Sequence, residues 1–395
     1  MVAIRSIETA VPAPVVRQGD LRDLFAAQPA FGRLGQRLVA AAFNASAIET
    51  RHTVLEELAS ETRPEHPAFL EPGADAPGTG ARNAAYVEHA GPLAIEAARK
   101  ALASDGAQDL QPADITHVVT ASCTGFSAPG VDLALVRALG LAPSTQRYHL
   151  GFLGCYAAFP ALRAAEQFCA ANPDAVVLVV CVELCSLHLH VRDDPDTIVA
   201  NSVFADGAAA AIVTARPAPA GIRTLELDAF ESTVIMEGEG DMAWSIGDQG
   251  FDMVLSSYVP RILEQNVAVA LAPLLAHDPE FDDREAASVD RWAIHPGGRS
   301  ILDRVQSALS LSDEQLAASR DVLREFGNMS SATVLFVLRR ILHSEVDRPE
   351  RVAALAFGPG LTVESALMTL QRQPALPSSP TRPAPHRRPL LHPTS

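Results

Sequence analysis

Residues Gly151–Ala158 read GFLGCYAA, and the pattern that follows them fixes the reading of the chain. Beyond Cys155 the apolar positions Phe159, Leu162, Ala165 and Phe168 recur at helical spacing, so Cys155 stands at or just before the start of a helix. A thiol there faces unpaired backbone N–H groups and the positive end of the helix dipole, both of which favour thiolate over thiol. Two more turns, each between an apolar run and a helical pattern, supply partners. Ile294–Gly298 (IHPGG) offers His295. Phe326–Ala332 (FGNMSSA) offers Asn328, followed by a helical stripe of Val334, Leu335, Leu338 and Ile341. An imidazole activates a thiol, and an amide N–H is a neutral donor for an oxyanion. Asn328 also suits the start of its helix, Asn being a favoured N-cap residue.

Working outward, the chain shows a coarse duplication. Ile115–Ala121 is an apolar strand run that breaks into CTGFSAPG and then a helix; Val289–Ile294 breaks into HPGG and then a helix from about Ser300. Further strand runs cover Ala175–Val182, Gly207–Thr214 and Ala353–Phe357, alternating with helical stretches such as Leu93–Ala103 and Leu255–Ala272. Strands alternating with helices imply layered α/β packing. Two similar halves, residues 1–225 and 226–372, are each expected to contribute one sheet, with the reacting groups where they meet. Residues 373–395 (QPALPSSPTRPAPHRRPLLHPTS) are rich in Pro and Ser and read as a disordered tail.

Composition excludes several function classes. With 395 residues and 48% hydrophobic content the chain has ample material for a core, while a formal charge of −16 argues against nucleic acid or an anionic membrane as partner. No apolar run reaches the ~18 residues of a membrane helix, and the start, MVAIRSIETAVPAP, lacks the basic segment and apolar block of a signal peptide. A cytoplasmic protein is expected. Five cysteines, Cys123, Cys155, Cys169, Cys181 and Cys185, are an odd number in a long chain and do not read as a disulfide framework. Lys100 is the only lysine, which sets Schiff-base chemistry aside, and neither a Walker-type loop nor GxGxxG follows a strand run. Cys181, Cys185, His188 and His190 invite a metal reading, but strand alternation points them to different faces, so no metal is expected.

The segments GFLGCYAAF, WAIHPGGRSILD, FGNMSSATV and FGPGLTVES, in this order and spacing, resemble the type III polyketide synthases, the chalcone and stilbene synthase family, over nearly the whole chain to about residue 370. The resemblance implies a homodimeric, thiolase-like αβαβα sandwich built from the two halves, acting on acyl-CoA and malonyl-CoA with no cofactor beyond these coenzyme A thioesters. It assigns Cys155 as the nucleophile that takes an acyl group. His295 activates the thiol and, with Asn328, holds the thioester oxygen as the malonyl carboxylate leaves. Phe204 and Phe251 match two phenylalanines that gate the cavity. Cys123, Cys185 and His188 occupy cavity positions, and Gly298 and Ser330 are assigned to the substrate with them. Cys123 resembles bacterial members, some of which make pyrones, resorcinols or hydroxynaphthalenes. Phosphate-anchoring basic residues are implied near Arg33–Arg51, where Arg33, Arg37 and Arg51 stand with Glu49 among them. The GPG loop at Gly358–Gly360 is either a tight turn or a place where backbone approaches the cavity.

Three other functions compete. A β-ketoacyl-acyl carrier protein synthase III shares the Cys-His-Asn set, but a carrier-protein partner needs a basic docking patch that this acidic chain does not advertise. A non-catalytic thiolase-fold subunit has no need of the intact trio. A cysteine hydrolase wants a water path rather than a gated, dry pocket.

Overall fold

A computed structural model describes residues 1–59, 67–71, 76–278 and 286–374. Thirteen strands occur among the described residues: β1 (Ala3–Ala10), β2 (Val15–Arg17), β3 (Thr50–His52), β4 (His117–Ser122), β5 (Gln146–Gly151), β6 (Val176–Leu184), β7 (Asp206–Thr214), β8 (Arg223–Val234), β9 (Met242–Gly247), β10 (Gly250–Leu255), β11 (Arg291–Ile294), β12 (Glu350–Gly358) and β13 (Thr362–Arg372). Nine form one sheet in the order β11-β12-β13-β8-β1-β7-β6-β4-β5. Outward from β1, the partners β7, β6, β4 and β5 are joined by two antiparallel and then two parallel pairings. Outward from β8, the partners β13, β12 and β11 are joined by two antiparallel pairings and then a parallel one. The two halves therefore repeat one design. They run on into each other through a short seam, Ala3↔Glu226 and Ile4↔Leu225, so the two sheet layers are continuous at that edge.

Alternation along the strands sets the layers. β6 reads VVLVVCVEL, β-branched residues that suit a strand buried on both faces. Val177, Val179 and Cys181 face one core, while Val176, Leu178, Val180 and Val182 face another, which is closed by the long helix Thr79–Leu102. The first core continues across helices Ala158–Ala171 and Thr333–His343 to Ala354 and Ala356 of β12. Beyond β12, Ala353, Leu355 and Phe357 pack on helices Val259–Leu275 and Arg299–Leu309. The order is helix, sheet, helix pair, sheet, helix: the αβαβα sandwich.

The central pair positions the site. One helix follows the Cys155 turn and the other the Asn328 turn, so the internal repeat brings the two turns to the same end, where Gly154–Tyr156 packs against Ser330–Ala332. The apolar period misleads in one place: Leu255 ends β10, and the helix begins at Val259 with Pro260 in its first turn. At the C-terminus the Gln373 amide donates to the Ile222 carbonyl at 2.8 Å. Residues 375–395, nearly all of the segment read as a disordered tail, lie outside the described residues.

Candidate active site

Cys155 lies in a sharp turn between β5 and the central helix, with φ of 58° at Phe152 and 78° at Gly154. Gly154 is required twice over. Its φ disfavours a side chain, and an added Cβ would lie 2.7 Å from Pro359 Cδ. The Gly358–Gly360 loop thus comes against the nucleophile turn, and Pro359 joins Cys155, Cys123, Cys185, Phe204 and Ser330 around a small pocket of about 20 Å³.

Asn328 is fixed by backbone and side chain together. Its N–H donates to the Val203 carbonyl at 2.8 Å and its carbonyl accepts from Ala205 N–H at 2.8 Å, a short parallel bridge beside Phe204. Oδ1 accepts from Ser330 N–H at 2.9 Å, so its capping partner is the short turn before the helix. With Oδ1 engaged, the amide N–H side is committed: Nδ2 lies 3.3 Å from the Gly297 carbonyl, and the Asn328 and Ser330 side chains reach the Cys155 thiol. Gly297 also packs on His295, whose Nε2 would lie 3.7 Å from a Cβ placed there. His295 is 1% exposed, and neither ring nitrogen has a hydrogen-bond partner among the described residues. The HPGG turn thus holds the imidazole and the amide at one corner.

Burial governs the electrostatics. It pushes the Cys155 thiol up to about 11, aided by the Glu183 carboxylate and opposed by the hydrogen bonds from Ser330 and Asn328. Burial also lowers His295 to about 3. The helix begins at Ala158, beyond the thiol, so the dipole expected to favour the thiolate acts from farther off and desolvation works against it. The resting pair is a thiol and a neutral imidazole.

The expected site residues divide among three hollows. Cys123, Cys185, Phe204 and Ser330 share the pocket of Cys155. A second small hollow, of about 30 Å³, is lined by Phe251 and His188 and also by Cys185 and Phe204, which border both spaces. Trp244 borders both spaces, donates from Nε1 to the Cys123 carbonyl at 2.7 Å and meets Phe251 edge-on with centroids 5.8 Å apart. His188 stacks on Phe251 at 4.1 Å, and both of its nitrogens are engaged, with the Thr124 carbonyl and the Phe251 N–H. Cys181 faces the central core, away from Cys185. Gly298 lines the third hollow, a groove, with Ser46, Ser202, Leu255, Arg299 and Arg304.

Two important residues escaped the sequence reading, and the role of a third was misread. Trp244 is one. Glu183 is fully buried behind Cys123 and accepts from Cys123 N–H at 3.0 Å, from Thr124 Oγ1 at 2.9 Å and from Ser331; burial raises its carboxyl above the usual range. Its signal was a lone charge ending an apolar strand. Arg51 is the third, and it corrects the phosphate-anchor expectation. It is 2% exposed and tied to backbone carbonyls, so it cannot meet a phosphate, whereas Arg33 and Arg37 are exposed on the helix Arg33–Ala45. Among the described residues no helix is long and apolar enough to cross a membrane, and no group of three or more His, Cys, Asp or Glu side chains is placed to hold a metal ion.

Comparison with known proteins agrees with this geometry. Residues 1–217 match the N-terminal domain of chalcone and stilbene synthases and residues 226–371 their C-terminal domain. The chain is 33% identical over 384 residues to the alpha-pyrone synthesis polyketide synthase-like Pks18 of Mycobacterium tuberculosis, covering 94% of this chain and 91% of that protein. It is 36% identical over 315 residues to bisdemethoxycurcumin synthase of Oryza sativa subsp. japonica, covering 77% and 76%. Among solved structures, the C-terminal type III polyketide synthase domain of Steely1 from Dictyostelium superposes with a TM-score of 0.84 at 28% identity, over 93% of this chain and 98% of that one. PKS-I of the brown alga Ectocarpus siliculosus gives 0.83 at 29% identity, over 94% and 98%.

Proposed function

The chain belongs to the chalcone and stilbene synthase family of type III polyketide synthases, and from this premise we propose that Cys155, His295 and Asn328 carry its chemistry. The family uses acyl-CoA and malonyl-CoA in a decarboxylative condensation. In the first step the Cys155 sulfur bonds to the starter carbonyl carbon while its proton passes to His295, and coenzyme A leaves as a thiol carrying that proton. Malonyl-CoA then loses CO₂, and the freed electron pair becomes an enolate whose oxygen accepts from N–H donors of Asn328 and His295. The enolate carbon attacks the Cys155 thioester, expelling the sulfur and leaving a β-ketoacyl-CoA for the next round. The observation that carries this reading is a buried neutral imidazole with both nitrogens unengaged, beside an amide already turned toward the thiol.

The proposal extends to substrates and assembly. The groove bearing Gly298, Arg299 and Arg304 suits coenzyme A: both guanidinium groups stay more than half exposed while paired with Asp303 and Glu264, so each keeps donors for phosphate oxygens. Phe204, Phe251, Cys123, Cys185, His188 and Ser330 would shape the acyl space. Ring closure to a pyrone, resorcinol or other phenolic product follows, the pyrone first because a relative is named for alpha-pyrone synthesis. A cytoplasmic homodimer completes the reading; β5 is an edge strand whose Gln146–His149 side chains are exposed, a ready surface for a second copy. Incubation with malonyl-CoA and a panel of acyl-CoA starters, followed by mass analysis, tests it. Products longer than the starter by acetyl-derived units are expected, and CO₂-free hydrolysis of every starter would overturn it.

A further inference from the structure

The mechanism leaves Arg51 unused, although it is a buried charge within one turn of the site. The helix Pro195–Val203 delivers Phe204, and a helix end leaves its last carbonyls without intrahelical partners. Here each has a partner from elsewhere. The Asn201 carbonyl accepts from Arg51 Nη1 at 2.8 Å, the Ser202 carbonyl from Gln18 Nε2 at 2.8 Å, and the Val203 carbonyl from Asn328 N–H at 2.8 Å. Arg51 Nη1 also donates to the Phe204 carbonyl at 2.7 Å. One cationic nitrogen thus bridges the residues on either side of the Val203–Asn328 bond, at the negative end of the helix dipole. The guanidinium carbon lies 5.6 Å from the Phe43 ring centroid, and the Arg51 Nε and Nη2 have no hydrogen-bond partner among the described residues. A buried cation with orphan donors is costly, and what offsets that cost here is the pair of carbonyl bonds together with the buried Asp206 carboxylate. From the other side, Gly327 presses on the clamp: at φ 72°, a Cβ there would lie 3.0 Å from Arg51 Cγ and Cδ and from the Val203 carbonyl oxygen.

We infer that Arg51 is a positioning residue for chain extension, acting through the Phe204–Asn328 bridge to hold the malonyl-binding amide in register with the pocket wall. This rests on the roles assigned above to Cys155 and Asn328. Cys155 stands on a separate segment, the turn after β5, so acyl loading depends on the clamp less than extension does, although Phe204 lines the same pocket.

The test measures two steps in the full-length enzyme: single-turnover acylation of Cys155 by a starter acyl-CoA, and CO₂ release from malonyl-CoA. Arg51→Gln is expected to slow CO₂ release at least about tenfold, as small misplacements of reacting groups do, while loading stays within about threefold of the unaltered enzyme. Arg51→Lys, which keeps a cationic donor, should recover part of the loss. Gly327→Ala, which pushes the clamp apart without touching the charge, should reproduce the Arg51→Gln pattern and carries the comparison if Arg51→Gln does not fold. Parallel loss of both steps, or no loss in either, would overturn the inference. Asn328→Ala separates the two readings: if it leaves CO₂ release unchanged, the site assignment itself fails, whereas a loss there with none in the Arg51 and Gly327 variants removes only the clamp.

Discussion

Cys155 and His295 are kept neutral by the same cause, removal from water, and this decides how the nucleophile is made. With the imidazole lowered to about 3 and the thiol raised to about 11, both groups favour their neutral forms, and in the proposed mechanism the proton moves as the sulfur attacks. Loading by a thiol with His295 as base requires His295 unprotonated, which holds above about 3, and the thiolate takes over without the base only above about 11. Single-turnover acylation is therefore expected to be flat from about pH 5 to about pH 9, whereas a thiolate–imidazolium pair would show a limb inside that window. Asn328 separates the steps. Asn328→Ala should slow release of CO₂ from malonyl-CoA by at least ~10²-fold, the usual loss for one oxyanion donor, and leave starter loading measurable. Equal loss of both would mean that Asn328 acts through the bridge to Phe204 and not on the enolate.

At the level of elements, the hairpin β9–β10 brings both Trp244 and Phe251 to the hollow proposed for the acyl chain. Phe251 is wedged between His188, Trp244 and Phe152, so Phe251→Ala should cost ~3–5 kcal/mol of stability. In the fraction that folds, bulkier starters should gain in relative kcat/KM; uniform loss across starters would make the ring a packing residue only. The hairpin also marks where sequence reading stops. Cys155, His295 and Asn328 were legible because each stands at a glycine-marked turn beside a periodic apolar run. Glu183, Trp244 and Arg51 were not, because what defines them is a partner 60, 121 and 150 residues away, namely Cys123 N–H, the Cys123 carbonyl and the Asn201 carbonyl. Leu255 was misassigned for a local reason: apolar residues run on from β10 into the next helix, and the SSY turn between them lacks a glycine.

For the whole molecule, the repeat around the β1–β8 seam puts the Cys155 and Asn328 turns at one end of a shared helix pair, so the two halves have their central core in common. Phe159 and Leu162 from the first half and Leu335 and Leu338 from the second belong to one cluster. Unfolding should therefore be a single event. Both tryptophans, Trp244 and Trp292, lie in the second half, so denaturant transitions followed by their fluorescence and by far-ultraviolet dichroism should coincide; two separated midpoints would show halves that fold independently. The central claim, that this polyketide synthase carries its growing chain on one sulfur, is tested most directly by trapping. The protein is mixed with a starter acyl-CoA, quenched in acid and analysed by intact mass and peptide mapping. The account predicts one starter acyl group on the peptide containing Cys155 and none on Cys155→Ala. An acyl group retained by the Cys155→Ala protein, or found on Cys123 in place of Cys155, would contradict it.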